Sequence, residues 1–286
     1  MTRSNALAIE PLTPAIGAVL RGVNLSEPAS DGLIDDIRQA LLKHQVIFFE
    51  GQDLTPAQQS AFAKRFGDLH VHPLYERDGG NPEIMVIDNH VDNPTDNNFW
   101  HTDVTFIDTP PMGSILHARQ LPPTGGDTMW ASMTAAYRGL SAPMQRFLEG
   151  LEAVHDFAYA FTADGIAGSQ AGREKYEKAV AANPPVIHPV IRTHPETGEP
   201  CIFVNSVFTR RIKGLRKEES RALMAFLNNH IQQPEYVVRW RWSPGAVAFW
   251  DNRNTQHRAV DDFLPHRRVM HRATVLGDKP MFRAAA

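Results

Sequence analysis

Tyr236-Val237-Val238-Arg239-Trp240-Arg241-Trp242, Ala246-Val247-Ala248-Phe249-Trp250 and Val269-Met270-His271-Arg272-Ala273-Thr274-Val275 are three short runs rich in β-branched and aromatic side chains, broken by Pro, Gly and Asp. Such side chains suit a pleated, half-buried surface better than a helix. Similar runs precede them at 46–49, 84–87, 113–118, 186–191 and 202–204. Parallel strands would need a long crossover between each pair, usually a helix, and too few helical patterns intervene. The pattern therefore predicts a mainly β protein with flanking helices. Its predicted form is a double-sheet antiparallel jelly roll, the double-stranded β-helix or cupin-like barrel.

Helical periodicity is strongest near the front. At 31–43, Leu33, Ile34, Ile37 and Leu41 share one face. Thr55-Pro56-Ala57-Gln58 is a capping box with Pro at the first helical position, and Gly67 is the predicted stop. Shorter helices are predicted at 132–140 and 141–150, and a longer one at 217–231 with Leu223, Phe226 and Leu227 inward. No repeat, low-complexity tract or long linker divides the chain, so a single domain over 1–286 is expected.

The net charge of −3 excludes a strongly basic nucleic-acid surface. Ordinary hydrophobic content excludes wholesale disorder. Cys201 is the single cysteine, so neither an intramolecular disulfide nor a thiolate metal cluster can form, which fits a reducing compartment. Residues 1–10 lack the apolar stretch of a signal peptide, and no run approaches the roughly 18 apolar residues of a membrane span. The expectation is a cytoplasmic protein that binds no nucleic acid and no membrane.

The chain has no GxGxxG, P-loop, GxSxG or HExxH pattern, which leaves histidine and carboxylate chemistry. A His-x-Asp step on a strand puts both side chains on one face, where they can share a metal ion. Two such steps occur, His90-Val91-Asp92 and His101-Thr102-Asp103. The pattern alone is weak and leaves both open. His194-Pro195-Glu196 is a near relative in a Pro/Gly turn and reads as a solvated loop. The second step lies between Trp100 and Phe106, which could form a dry wall around a metal. Two His and one carboxylate with the other positions open form the facial triad of non-haem Fe(II) oxygenases, and His257, after the run ending at Trp250, could be the third ligand. Arg268 lies eleven residues beyond it. Arg268 and Arg272 are four apart on a predicted strand, so they share a face and could hold two anions.

Further quoted stretches are His70-Val71-His72-Pro73-Leu74-Tyr75, Thr124-Gly125-Gly126-Asp127-Thr128, Asn183-Pro184-Pro185, Arg239-Trp240-Arg241-Trp242, Trp250-Asp251-Asn252-Arg253 and Met270-His271-Arg272-Ala273-Thr274. With Trp100 through Phe106, they resemble the taurine dioxygenase family of Fe(II)/2-oxoglutarate-dependent oxygenases over nearly the whole chain. The family pattern of His-x-Asp, a long gap, His, ten residues and Arg is met at His101, Asp103, His257 and Arg268, and this selects His101 over His90.

The resemblance implies that His101, Asp103 and His257 hold Fe(II), and that Thr128 and Arg268 hold the distal carboxylate of the cosubstrate 2-oxoglutarate. It places the sulfonate of taurine on His72, Arg272 and the Val104 backbone, with Tyr75 and Asn97 at the amine end and Phe161 and Phe208 as walls. The residues themselves also allow Phe161 and Phe208 to be core, Arg272 a structural ion-pair residue, and His72, Tyr75 and Asn97 plain loop residues. The implied reaction uses O2 to hydroxylate the carbon beside the sulfonate, giving sulfite, aminoacetaldehyde, succinate and CO2. A homo-oligomer, dimer or tetramer, is also expected. The sequence departs from the family between 158 and 178, where small residues would widen the pocket toward another alkanesulfonate, a sulfate ester or an aryloxyacetate. The alternative from another class is a non-redox, anion-binding metalloprotein on the same scaffold.

Overall fold

The structure, a computed structural model, describes residues 7–71, 77, 78, 80–94, 97–161 and 170–284. Its strands are, in the first half, β1 (Ala8–Pro11), β2 (Ala18–Arg21), β3 (Val46–Phe49), β4 (Arg77–Asp78), β5 (Asn81–Asn89), β6 (Gly113–Gln120), β7 (Thr128–Ser132) and β8 (Glu152–His155). The second half adds β9 (Val186–Pro189), β10 (Ile191–Thr193), β11 (Pro200–Ile202), β12 (Thr209–Ile212), β13 (Val237–Trp240), β14 (Val247–Asp251), β15 (Thr255–Ala259) and β16 (Arg268–Val275). An eight-stranded sheet runs β1-β2-β3-β14-β6-β16-β5-β4, and a three-stranded sheet runs β13-β7-β15. The two form the predicted jelly-roll double sheet, held together by side-chain packing and with open edges rather than closed into a hydrogen-bonded barrel.

The period of two explains why both faces of the large sheet are buried. On β3, Val46 and Phe48 join the cluster between the sheets, while Ile47 and Phe49 point to the other face. On β14, Ala248 and Trp250 point inward between the sheets, while Val247 and Phe249 point out. Between the sheets, Phe48 stacks on Trp240 at 4.1 Å, and Trp130 and Trp250 lie 5.7 Å apart. On the outer face, helices α1 (Asp31–His44) and α2 (Pro56–Ala63) supply Ile37, Leu41 and Phe62. This double cover is why these strands read as unbroken apolar runs. The Thr55–Gln58 capping box forms as read, although α2 stops at Ala63, short of Gly67.

Three local expectations are corrected. The run at 186–191 breaks at Val190 into β9 and β10, which belong to separate small sheets. Phe226, on the helix Lys217–His230, is 44% exposed, while Leu227 beside it is buried. His194 is fully buried and not solvated, because its Nε2–H reaches the Asp251 carboxylate at 3.0 Å.

Asp251 ends β14 and anchors a buried ionic cluster. Its Oδ1 accepts from Arg253 Nε at 2.8 Å and its Oδ2 from Arg253 Nη2 at 2.6 Å. Arg253 continues to Glu196 at 2.7 Å, and Glu196 to Arg38 at 2.9 Å. Burial alone would raise the Asp251 pKa, but Arg253 and His194 outweigh it and hold the carboxyl well below the usual range. Because the folded value is depressed, this stabilisation is present above the unfolded carboxyl pKa and is lost as pH falls toward the folded one. Asp251→Ala removes the fully buried partner of Arg253 and His194, leaving Arg253 only the part-exposed Glu196, and is expected to cost about 3–5 kcal/mol in urea unfolding. A loss under about 1 kcal/mol would show that the cluster adds no net stability.

Candidate active site

The residue pair His101 and Asp103 lies between β5 and β6, and His257 lies on β15. A two-way backbone bridge brings the histidines together. His101 N–H donates to His257 O at 3.0 Å and His257 N–H to His101 O at 2.8 Å, leaving the ring centroids 4.2 Å apart. Asp103 comes from the turn that follows, not from strand alternation. Its backbone N–H donates to Asn252 Oδ1 at 2.9 Å, while Asn252 Nδ2 donates back to Asp103 O at 3.1 Å. Asn252, beside the ionic cluster, thus fixes the carboxylate of the site.

The Asp103 Oδ1 lies 3.8 Å from His101 Nε2 and 3.9 Å from His257 Nε2. One donor atom from each of the three residues falls within 4.8 Å of the others, and all three are buried. His101 Nδ1–H donates to Phe99 O at 2.8 Å, which leaves the Nε2 lone pair free to ligate. Burial, with a smaller contribution from His101, pushes the His257 pKa down to about 3, so that ring is neutral. For Asp103, burial works upward, but the Arg272 guanidinium beside it outweighs that and holds the carboxyl well below the usual range. Two imidazoles and one carboxylate on one side of an open space fit a divalent iron site. His90 and Asp92 do not: their side chains are 38% and 93% exposed.

The structure also gives the two arginines of β16 different surroundings. Both leave the face that carries Met270, which packs between the sheets. The Arg268 guanidinium is buried, with Nε donating to Gly126 O at 3.1 Å and Nη2 to Thr128 Oγ1 at 3.4 Å. Among the described residues no carboxylate lies within 4.0 Å of it, while neighbouring Asp127 is taken by Arg239 at 2.7 Å. Burial pulls its pKa down to about 10, against Asp127, so it is still charged at neutral pH. A buried cation without a counter-ion beside a hydroxyl suits the distal carboxylate of a keto acid. Arg272 instead bonds Asp103 Oδ1 through Nη1 at 3.1 Å, while among the described residues its buried Nε has no partner. An ion pair was one reading open for Arg272, but a ligand carboxylate as its partner was not foreseen, and the Nε N–H remains for a second anion.

Beside the triad is a cavity of about 280 Å³. Arg272, Asn97, Val104, Phe161 and Phe208 line it, together with His101 and Asp103. His72 and Tyr75 lie outside the described residues. Phe106, read as part of a dry wall, and Ala160, among the small residues from 158 on, also line it, while sequence reasoning missed Met85, Ile87, Phe99 and Val207. Met85 and Ile87 alternate on a predicted strand, so the period of two could have pointed to them. Larger hollows of about 610 and 760 Å³ on the surface contain none of the triad.

Comparison with known proteins agrees with this geometry. The family model described as "Taurine catabolism dioxygenase TauD, TfdA family" matches residues 8–274. An alpha-ketoglutarate-dependent sulfate ester dioxygenase of Pseudomonas putida is 38% identical, over 96% of this chain and 91% of its own. A taurine dioxygenase structure from Burkholderia xenovorans superposes with a TM-score of 0.82 at 37% identity, covering 96% of this chain and 93% of that one. The structure of AAD-2 in complex with Mn(II) and N-oxalylglycine superposes with a TM-score of 0.79 at 31% identity, covering 97% of this chain and 100% of that one. With the matched residues spanning nearly the whole chain, this protein belongs to the TauD/TfdA family of dioxygenases.

Proposed function

We propose that the chain is an Fe(II)- and 2-oxoglutarate-dependent dioxygenase that hydroxylates the carbon bearing a sulfonate or sulfate ester at the end of an apolar chain. The bound metal and keto acid supply the oxidation, with O2 and 2-oxoglutarate giving succinate, CO2 and a hydroxylated carbon. His101, Asp103 and His257 would hold the metal, and Arg268 with Thr128 the keto acid. Arg272, with its unpartnered Nε, would orient the sulfur-oxy group so that the adjacent carbon faces the metal.

The observation that carries the choice of substrate is the cavity lining. Phe106, Phe161, Phe208, Met85, Ile87 and Val207 make most of it apolar. Among the described lining residues the one carboxylate is Asp103, which is committed to metal and to Arg272. Taurine's ammonium has no anionic partner there, whereas an alkyl chain does find apolar contact. The relative from Pseudomonas putida, named for sulfate esters, supports the same preference.

Sulfite or sulfate release should be measured across taurine, alkanesulfonates and alkyl sulfates, and succinate formation with these and an aryloxyacetate, with 2-oxoglutarate and Fe(II) present. Each methylene that becomes buried contributes about 0.8 kcal/mol, so a six-carbon chain should exceed a two-carbon one by at least about tenfold in kcat/KM. Taurine as the best substrate would overturn the chain-length reading. No substrate-stimulated O2 uptake with any of them would favour an anion-binding protein instead.

A further inference from the structure

Behind the cavity wall lies a buried polar cluster that neither metal nor keto acid requires. Thr105 follows the ligand Asp103 by two residues and is fully buried. Its Oγ1 meets His155 Nδ1 at 2.9 Å and accepts from Asn205 Nδ2 at 3.1 Å. Its carbonyl accepts from His188 Nε2–H at 3.0 Å, which also reaches Ile107 O at 3.0 Å. Asn205 uses its other end on the opposite wall, where Oδ1 accepts from the backbone N–H groups of Val207 at 3.1 Å and Phe208 at 2.8 Å.

One side chain therefore bridges two walls. On one side stand Val104 and Phe106, and on the other Val207 and Phe208. Val104 has φ of +55°, a left-handed conformation that a β-branched residue avoids. Such a backbone persists only when its surroundings over-determine it. Here the ties on either side are Asp103 to Asn252 and Thr105 to His155, Asn205 and His188.

We propose that the Thr105–Asn205 hydrogen bond is a positioning device that holds the two substrate-facing walls at a fixed separation, and so ties oxidation of the keto acid to hydroxylation of the substrate. Neither residue touches the reacting atoms. Both act through Val104, Phe106, Val207 and Phe208. A loosened wall lets the target carbon wander, and misplacement by about 1 Å is enough to lose about 100-fold in rate. The inference rests on the substrate reading above for its coupling arm and on the geometry alone for its exchange arm.

The test compares Thr105→Val, nearly isosteric but without the hydroxyl, with Thr105→Ser, which keeps it. In Thr105→Val, succinate formed per hydroxylated product should rise at least about threefold and substrate KM about tenfold, with Fe(II) and 2-oxoglutarate binding within about twofold of wild type. Thr105→Ser should restore coupling. Asn205→Ala severs the same link from the other wall and should reproduce the phenotype if Thr105→Val does not fold. Amide hydrogen exchange, measured without substrate, should speed up together across 103–108 and 205–209 in the severed variants. Unchanged exchange in both segments, loosening of one alone, or wild-type coupling in a folded variant would overturn the proposal. If wild type turns over no sulfur-oxy substrate, the substrate reading fails while the exchange arm still decides whether the walls are linked.

Discussion

Asp103→Ala is expected to abolish Fe(II) binding, with a loss greater than about 100-fold, because even groups that merely orient metal ligands are worth about 10–100-fold. Two effects combine. The variant removes the only anionic ligand of the triad and leaves the two imidazoles. It also frees the Arg272 guanidinium, whose Nη1 is 3.1 Å from Asp103 Oδ1, as an uncompensated cation beside the place where a dication must sit. His101→Ala removes a ligand but keeps that neutralisation, so its loss should be smaller than that of Asp103→Ala. His90→Ala should leave binding within about twofold, since its exposed ring contributes nothing to the site. Equilibrium titration with Fe(II) under anaerobic conditions checks all three. Wild-type affinity in Asp103→Ala, or a severe loss in His90→Ala, would remove the triad assignment.

Legibility of the molecule in its sequence follows what each residue does. β3 and β14 were legible because burial on both faces demands unbroken apolar side chains, and Val46 to Phe49 and Val247 to Trp250 supply them. β15 was not, although it carries His257. Its residues are Thr255, Gln256, His257, Arg258 and Ala259, and two of its buried side chains bond to groups outside the strand. Thr255 Oγ1 donates to Asp251 O at 2.7 Å and Gln256 Nε2 to Val204 O at 2.7 Å. A strand buried through hydrogen bonds has no apolar period to read. The helix Gln170–Ala182 was missed in the same way, its small and charged residues giving little apolar contrast.

The site shows the same division. Spacing proposed two His-x-Asp steps and could not rank them, because what separates them is burial and the grip of Asn252, 149 residues from Asp103. The shared face of Arg268 and Arg272 was legible from the period of two. Their different partners were not, since Arg272 finds Asp103 from 169 residues away and Arg268 finds Gly126 from 142. Long-range pairing of this kind leaves no local signature, and only the resemblance to a family pattern stood in for it.

Arg268→Ala should weaken 2-oxoglutarate binding by roughly 30- to 4,000-fold, the equivalent of about 2–5 kcal/mol for losing one partner of a buried charge pair. The guanidinium has been taken out of water without a described carboxylate within 4.0 Å, and burial already draws its pKa down to about 10. Such a cation is costly in the free protein, and an incoming carboxylate relieves that cost on binding. The surroundings keep it available. Arg239 occupies Asp127 at 2.7 Å, and Asp262 is drawn to the Gly126 N–H at 2.9 Å, so neither nearby acid neutralises Arg268. Arg268→Lys should recover only part of the loss, because a point charge cannot bind both carboxylate oxygens in the planar fork that Arg offers. Thr128→Val should cost less than Arg268→Ala, since it removes one neutral donor. The measurement is calorimetric titration of 2-oxoglutarate into Mn(II)-loaded protein, with metal affinity determined separately. Metal binding should stay near wild type in all three variants, because Arg268 bonds none of the triad. A 2-oxoglutarate affinity within about threefold of wild type in Arg268→Ala would mean that the buried cation serves the fold alone, and the keto-acid carboxylate would then have to be held elsewhere.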